Sequence, residues 1–168
     1  RRHSFPTRRS SDLNSWAKSP SESPFFRRLA ILKITASDLR PDPEIVKLFL
    51  KGYSHETFGA SRIEWIRSTE DIRNVHTREE ALKTLSKLYP TLDKKFKPYA
   101  LSTLARDPNI ETKNLLNYMF QSLKQNETLA IESGLKAIPG LLEIHQISET
   151  QKAKITERLD KIPSDLMT

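Results

Sequence analysis

The sequence predicts an all-α fold of antiparallel helix pairs, and three observations support this prediction. Glycine occurs only four times in 168 residues, and Leu, Ala, Lys and Glu dominate the segments from residue 24 onward, which favours helix. Apolar residues recur at helical spacing in successive segments, and no strand-like alternation persists. The connections between segments are short, so we expect neighbouring helices to pack antiparallel.

The first three helices follow a polar stretch. The first is predicted over residues 24–36. Asp42-Pro43 marks the start of the second, over 43–51, because an aspartate N-cap is followed by proline at a position where its missing N–H costs no hydrogen bond. Gly52 separates this helix from the third, over 55–67.

Two helices follow in the middle of the chain. Thr77–Glu80 fits a capping box, in which side chains three residues apart satisfy the first backbone N–H groups, and it begins a helix over 77–89. Pro90 ends this helix. In the next helix, over 93–105, Pro98 is either a late first-turn residue or the site of a kink.

The last three helices are predicted over 108–124, 127–143 and 148–161. Asp107-Pro108 begins the first of them, and Asn126 caps the second, in which Pro139 bends or ends the helix. A second capping box, at Ser148–Gln151, begins the third. This final helix has no partner after it, so we expect residues 162–168 to be a tail of a truncated chain or of an array that continues.

The two halves of the chain resemble each other. The two Asp-Pro starts lie 65 residues apart. Small residues, which let helices approach closely where they cross, recur at intervals of 30, 40 and 30 residues, at Ala30, Ala60, Ala100 and Ala130. A period in the thirties with two helices per unit indicates an α-solenoid.

These helix pairs resemble the HEAT repeat family in its short bacterial form, where a helix that opens with Asp-Pro is followed by a turn and a helix with small residues and a basic position. Residues 42–66 and 107–138 match this pattern, and 77–105 match it more loosely. The resemblance covers about 24–161. It implies a stack of about seven to eight helices that acts as a non-catalytic scaffold for a protein partner, without a cofactor.

The resemblance also implies where a partner binds. The helices over 24–36, 55–67, 93–105 and 127–143 would line the concave face of the solenoid. Basic residues on these helices are then candidate contacts, at Arg62, Lys95 and Lys136. The large aromatic side chains lie in or beside the apolar stripes and are predicted to be core, at Phe49, Phe58, Trp65, Phe96 and Phe120.

The first residues have a different origin. His3–Leu13 reads HSFPTRRSSDL, which resembles one translated frame of a short-read sequencing adapter. The resemblance implies that residues 1–13 are an unstructured artefact and that the native start is missing. Residues 14–23 are Ser- and Pro-rich and are predicted to be a polar linker. Without residues 1–13 the net charge falls from +7 to +4, which is ordinary for a soluble domain.

Composition excludes several kinds of site. The absence of cysteine excludes disulfides and thiolate metal sites within this chain, and it is compatible with a cytoplasmic location. No apolar run reaches the length of a membrane span. His55, His76 and His145 fall at segment boundaries without a metal-binding or catalytic motif, so we expect them to cap helices or to face solvent.

Two alternatives to a protein-binding scaffold stay open. Lys94, Lys95 and Lys97 with Tyr99 form a basic and aromatic cluster, and Arg27, Arg28 and Lys33 form a second basic cluster on the first helix, as in helical-repeat modules that bind nucleic acid. Against this, charges alternate in sign along most helices, as on a solvated face. The chain could also be an accessory region of a larger bacterial enzyme.

Overall fold

The computed structural model describes residues 10–37, 41–56, 59–125 and 127–163, and over these ranges it contains nine α-helices and no strand. The predicted all-α class is therefore confirmed. Two 3₁₀ turns, Ser68–Asp71 and Tyr89–Thr91, extend the fourth and fifth helices. The helices are α1 (Ser10–Lys18), α2 (Pro24–Thr35), α3 (Pro43–His55), α4 (Gly59–Arg67), α5 (Val75–Leu88), α6 (Lys97–Leu104), α7 (Thr112–Leu123), α8 (Thr128–Ile144) and α9 (Glu149–Leu159).

The chain divides into two compact units, with the boundary between Ala81 and Leu82, inside α5. We call them the N-terminal unit and the C-terminal unit. In the N-terminal unit α1 packs against α2 and α3, and α3 packs against both α2 and α4. In the C-terminal unit α8 packs against α6 and α7, and α7 also contacts α9. Packing between sequence neighbours is what short connections favour.

Helix α1 corrects the predicted start of the chain. It includes residues 10–13, which were expected to lack structure, and residues 14–18 of the predicted linker. The helix forms because Leu13, Trp16 and Ala17 are spaced as an apolar stripe within a polar stretch, and Ala17 is fully buried. Residues 1–9 lie outside the described residues, and the adapter origin of His3–Leu13 stays a prediction.

An aromatic cluster forms the core of the N-terminal unit. Phe49 and Tyr53 on α3 meet edge to face with ring centroids 5.5 Å apart, and Phe49 and Trp65 do so at 5.3 Å. Gly52 was predicted to end this helix, but it lies inside α3 and is buried. A Cβ there would lie 2.4 Å from the Trp65 ring, so glycine serves close packing and not helix termination.

The two Asp-Pro pairs differ in the structure. At Asp42 the carboxylate accepts a hydrogen bond from the N–H of Glu44 (2.8 Å), and α3 begins at the next residue, as predicted. Asp107 accepts one from the N–H of Asn109 at a similar distance (2.9 Å), but a turn follows and α7 begins only at Thr112. Ile110 within this turn is buried, and its burial holds the turn against the core.

Other predicted helix ends are partly corrected. Asn74, not Thr77, caps α5, since its side chain accepts from the Thr77 N–H at 3.0 Å. The capping box at the start of α9 is confirmed, with Ser148 and Gln151 bonded reciprocally. Helix α6 begins at Lys97, so Pro98 is a first-turn residue and not a kink. Asn126 lies outside the described residues.

Helix α8 runs through Pro139 to Ile144 and does not end at the proline. Pro139 is exposed, so water can reach the carbonyl that loses its helical partner. Next to it, Gly140 lies against α6, where a Cβ would be 2.4 Å from the carbonyl oxygen of Ala105. Packing on the inner side of α8 therefore holds the helix across the proline.

The aromatic residues follow the predicted core with one difference. Phe49, Trp65 and Phe96 are buried. Phe120 is half-buried, because it lies at the edge of the stripe on α7. Phe58 lies outside the described residues, as does the part of the predicted tail after residue 163.

Candidate functional site

The three predicted contact residues each have a local partner. Arg62 on α4 is half-buried, and its Nε donates to the carbonyl oxygen of Tyr53 at 2.6 Å. Lys95 is exposed before α6, with its Nζ 4.9 Å from the centroid of the Phe96 ring. Lys136 is exposed on α8 and forms an ion pair with Glu132 at 3.5 Å. Arg62 therefore has a structural role, while the two lysines remain on the surface.

The histidines have different surroundings. His55 and His76 are exposed, and the Nδ1 of His55 lies 2.8 Å from the hydroxyl of Ser54. His145 is buried at the end of α8, with Nδ1 3.3 Å from the Thr112 hydroxyl and with Nε2 lacking a partner among the described residues. The described residues contain no group of three histidine or acidic side chains that could hold a metal ion. Within those same ranges, every helix is too short or too polar to cross a lipid bilayer.

An apolar groove lies between α2 and α4 in the N-terminal unit. It has a volume of about 590 Å³. We call it the α2–α4 groove, and its apolar lining consists of Leu29, Leu32, Ala36, Ala60 and Ile63. All of these side chains are exposed or half-buried, so the groove is open to solvent.

The two walls of the groove have the same pattern. On α2 the lining residues are 29, 32, 33 and 36, and on α4 they are 60, 63, 64 and 67. Every position on one wall matches a position 31 residues later on the other. Spacings of three, four and seven residues place these side chains along one face of each helix. The groove is therefore built from equivalent faces of two alternate helices, with α3 between them in the chain.

Helix α2 is apolar on more than one side. Ala30, Ile31 and Ile34 are buried and hold it to the rest of the unit. Leu29, on the groove side, stays 39% exposed, and the adjoining Phe25 stays 53% exposed. Single exposed apolar residues are ordinary, but a contiguous set along one helix is typical of a surface that contacts another molecule.

Arg28 joins the two helices that form the walls of the groove. Its Nε lies 3.2 Å from a carboxylate oxygen of Glu64, an ion pair without hydrogen-bond geometry. Its guanidinium also donates to the hydroxyl of Ser61, which is buried. Arginine presents several donors in a fixed plane, so one side chain holds both contacts on α4 at once. The distance between the walls is thus set by residues outside the apolar lining.

Five of the ten residues that line the groove are polar or charged, and two of them, Glu64 and Arg67 on the α4 wall, already have partners. The side chains of Lys33 and Asp71 line it and make no hydrogen bond or ion pair with any described residue. Ser68 also lines it, but its hydroxyl already donates to the carbonyl oxygen of Trp65 at 2.8 Å. The groove therefore offers an apolar floor and two opposite charges that have no partner in the described chain.

Sequence reasoning missed this groove. It placed Ala60 at a helix crossing with Ala30, Ala100 and Ala130, and these three are buried. Ala60 is exposed and lies in the groove wall, where it matches Leu29 and not Ala30. The available signal was the apolar excess of α2, PFFRRLAILKIT, whose apolar residues cover more than the one stripe that a packed surface helix needs.

A second cleft of about 610 Å³ lies between α3 and the start of α5. Lys47 and Lys51 line it, but so do Glu44 and Glu80, so its charge is mixed. The α2–α4 groove is the better candidate site, because a larger share of its exposed lining surface is apolar. Comparisons with protein-family models, with curated proteins and with solved structures find no match to this chain.

Proposed function

We propose that this chain is a non-catalytic helical-repeat scaffold that binds a protein partner. Each unit would consist of antiparallel helix pairs of the HEAT type, with α2 and α4 on the concave face of the N-terminal unit and α6 and α8 on that of the C-terminal unit. Repeat scaffolds bind through such faces by surface complementarity. Arg62, Lys95 and Lys136 stay candidate contacts.

The packing within each unit supports this proposal. Helices adjacent in sequence pack together from α1 to α4 and from α6 to α8, and α8 also packs against α6, two helices earlier. In the N-terminal unit, Arg28 makes the corresponding link from α2 to α4. The matching wall positions, 31 residues apart, add a repeat within the range that is typical of helical solenoids.

The observation that carries the proposal is the α2–α4 groove itself. An apolar groove in water is costly, at roughly 25 cal/mol for each Å² of apolar surface left exposed. The buried side of α2 already satisfies the packing of its own unit. The exposed lining is therefore best explained by a partner that covers it.

A display selection with random peptides tests the proposal. Peptides selected on the chain should lose binding to an Ile63→Glu variant, because the substitution places a charge in the groove. They should keep binding to Leu142→Glu, a matched change at a leucine that is 51% exposed on α8. Binders that respond to neither substitution, or only to the control, would contradict a role for the groove.

Nucleic-acid binding is a second candidate, favoured by one observation. Lys94 and Lys95 are exposed side by side in the turn before α6. Phosphate contacts make affinity fall steeply with salt. A chain that begins at Asn14 should then bind a DNA or RNA oligonucleotide at low salt and release it as salt rises, and no binding at low salt would dismiss this candidate.

A further inference from the structure

We infer that the occupant of the α2–α4 groove is an amphipathic helix of a partner protein. Its apolar residues lie on one face, at positions i, i+3 or i+4, and i+7, and a carboxylate beside them pairs with Lys33. This inference rests on the proposed scaffold function and names the chemistry of its partner. It follows from the shape of the groove, from the bonding of its walls and from its charges.

The shape of the groove matches a third helix. Leu29, Leu32 and Ala36 form one row, and Ala60 and Ile63 form the other. Rows of side chains on two neighbouring helices leave a furrow into which the ridge of another helix fits. The wall on α2 runs from residue 29 to 36 and the wall on α4 from residue 60 to 67. Each is about 10 Å long along its helix axis, so two to three turns of the partner are sufficient.

The bonding of the walls argues against an extended peptide. A strand binds by adding main-chain hydrogen bonds to an open edge, but α2 and α4 satisfy their backbone groups internally. A polyproline segment docks between aromatic rings, and the groove lining contains none. A helix needs neither an open strand edge nor a pair of aromatic rings, because its own backbone groups are already paired and it binds through side chains alone.

The walls are held apart before any partner arrives. Arg28 contacts both Ser61 and Glu64, so it fixes α2 relative to α4. A groove that is already formed costs less ordering on binding than one that must open.

The charges of the rim specify the flanks of the partner helix. Lys33 lies on the α2 wall and has no partner among the described residues. Asp71 follows the α4 wall and is likewise unpartnered. A helix with a carboxylate on its α2-facing flank and a basic residue on its other flank satisfies both charges. Complementary charges of this kind determine partner choice more than affinity.

Two synthetic peptides test this inference. Both carry leucines at the stated spacing on a helix of about 14 residues. One has glutamates on a flank, and in the other these are glutamines. Fluorescence anisotropy should show that the glutamate peptide binds about two- to fivefold more tightly, which is the effect of one exposed ion pair. Lys33→Glu should abolish this preference, and Lys113→Glu, a matched change at an exposed lysine of α7, should keep it.

Three outcomes separate this inference from the scaffold function. Loss of binding by at least about tenfold in Ile63→Glu, together with the Lys33 effect, supports both. Glutamate and glutamine peptides that bind equally in every variant overturn the assigned charge. If peptides from the display selection occupy the groove in an extended form while both helical peptides fail to bind, the scaffold function stands and the helical occupant is wrong.

Discussion

The two units fill their cores with different side chains. The N-terminal unit packs the rings of Phe49, Tyr53 and Trp65 edge to face around Gly52. The C-terminal unit brings backbones close together instead, since the buried face of α8 is made mainly of alanine, serine and glycine. Large rings fill space between helices that stand apart, whereas small side chains let helices touch.

The C-terminal unit also satisfies polar groups inside its tightly packed region. The hydroxyl of Ser122 on α7 donates to the carbonyl oxygen of Ala130 at 2.6 Å and lies 3.0 Å from the hydroxyl of Ser133. Both serines are buried. In the N-terminal unit the hydroxyl of Tyr53 meets that of Thr69, and complete burial raises the pKa of the tyrosine. Each core thus pairs its buried hydroxyl groups locally.

The largest expected effect is in the aromatic core. Phe49→Ala should lower the free energy of unfolding by about 3–5 kcal/mol, because it leaves a cavity beside two packed rings. Phe25→Ala is the matched control, since this ring is 53% exposed, and it should cost less than about 1 kcal/mol. Urea unfolding followed by circular dichroism measures both changes, and hydrogen exchange should localise the loss to the N-terminal unit. Similar costs for both variants would contradict the aromatic core.

A smaller effect is expected where backbones touch. A Cβ at Gly140 would lie 2.4 Å from the backbone oxygen of Ala105, and one at Gly134 would lie 2.7 Å from a side-chain carbon of Leu123. A side chain can move more easily than a backbone. Gly140→Ala should therefore destabilise by about 1–3 kcal/mol, and Gly134→Ala by less. Both changes lie inside α8 and gain the same helix propensity. The difference between their thermal unfolding temperatures therefore compares the cost of approaching a backbone with the cost of approaching a side chain. The reverse order would contradict the close approach.

These residues also show how far the sequence predicts the structure. Periodicity and capping signals predict the helices, since local spacing determines which face is apolar. Gly52 was taken as a helix end, because its sequence does not reveal that Trp65 lies against it. Asp107 makes the same local hydrogen bond as Asp42, and the isoleucine three residues later is buried in both places, so the local sequence does not reveal that a helix follows one and a turn the other. The groove depends on which face of α2 lacks a neighbour, and that is a property of tertiary packing.

The capping box of α9 should contribute a modest stabilisation. Ser148 accepts from the N–H of Gln151 at 3.2 Å, and the Gln151 side chain accepts from the N–H of Ser148 at 2.7 Å. Ser148→Ala removes one of these bonds and should cost about 1 kcal/mol, while Ser148→Asp should keep most of it. Hydrogen exchange across α9 measures the change. Equal exchange in the parent and the alanine variant would show that α9 is held by the packing of Ile155 alone.

The smallest expected effect concerns charge at the start of α3. The Lys18 ammonium, 2.6 Å from the Asp42 carboxylate, lowers the pKa of Asp42, and the backbone N–H of Glu44 lowers it further. In α9 the Lys161 ammonium lowers the pKa of Glu157 in the same way. Both carboxylates are solvent-exposed, so screening keeps their contributions small. The two pairs therefore form a matched test, one in each unit.

A carboxyl group whose pKa is lower in the folded state stabilises the fold above its unfolded pKa, and this contribution is lost as pH falls through the folded pKa. The unfolded pKa of aspartate is about 3.9. Asp42→Asn should therefore destabilise the N-terminal unit at neutral pH, and the difference from the parent should shrink below about pH 4. Glu157→Gln should destabilise α9 at neutral pH, and its difference from the parent should likewise shrink as the pH falls. Hydrogen exchange at neutral and acidic pH would measure both changes in stability. If the difference between Asp42→Asn and the parent did not depend on pH, the charge of Asp42 would contribute nothing.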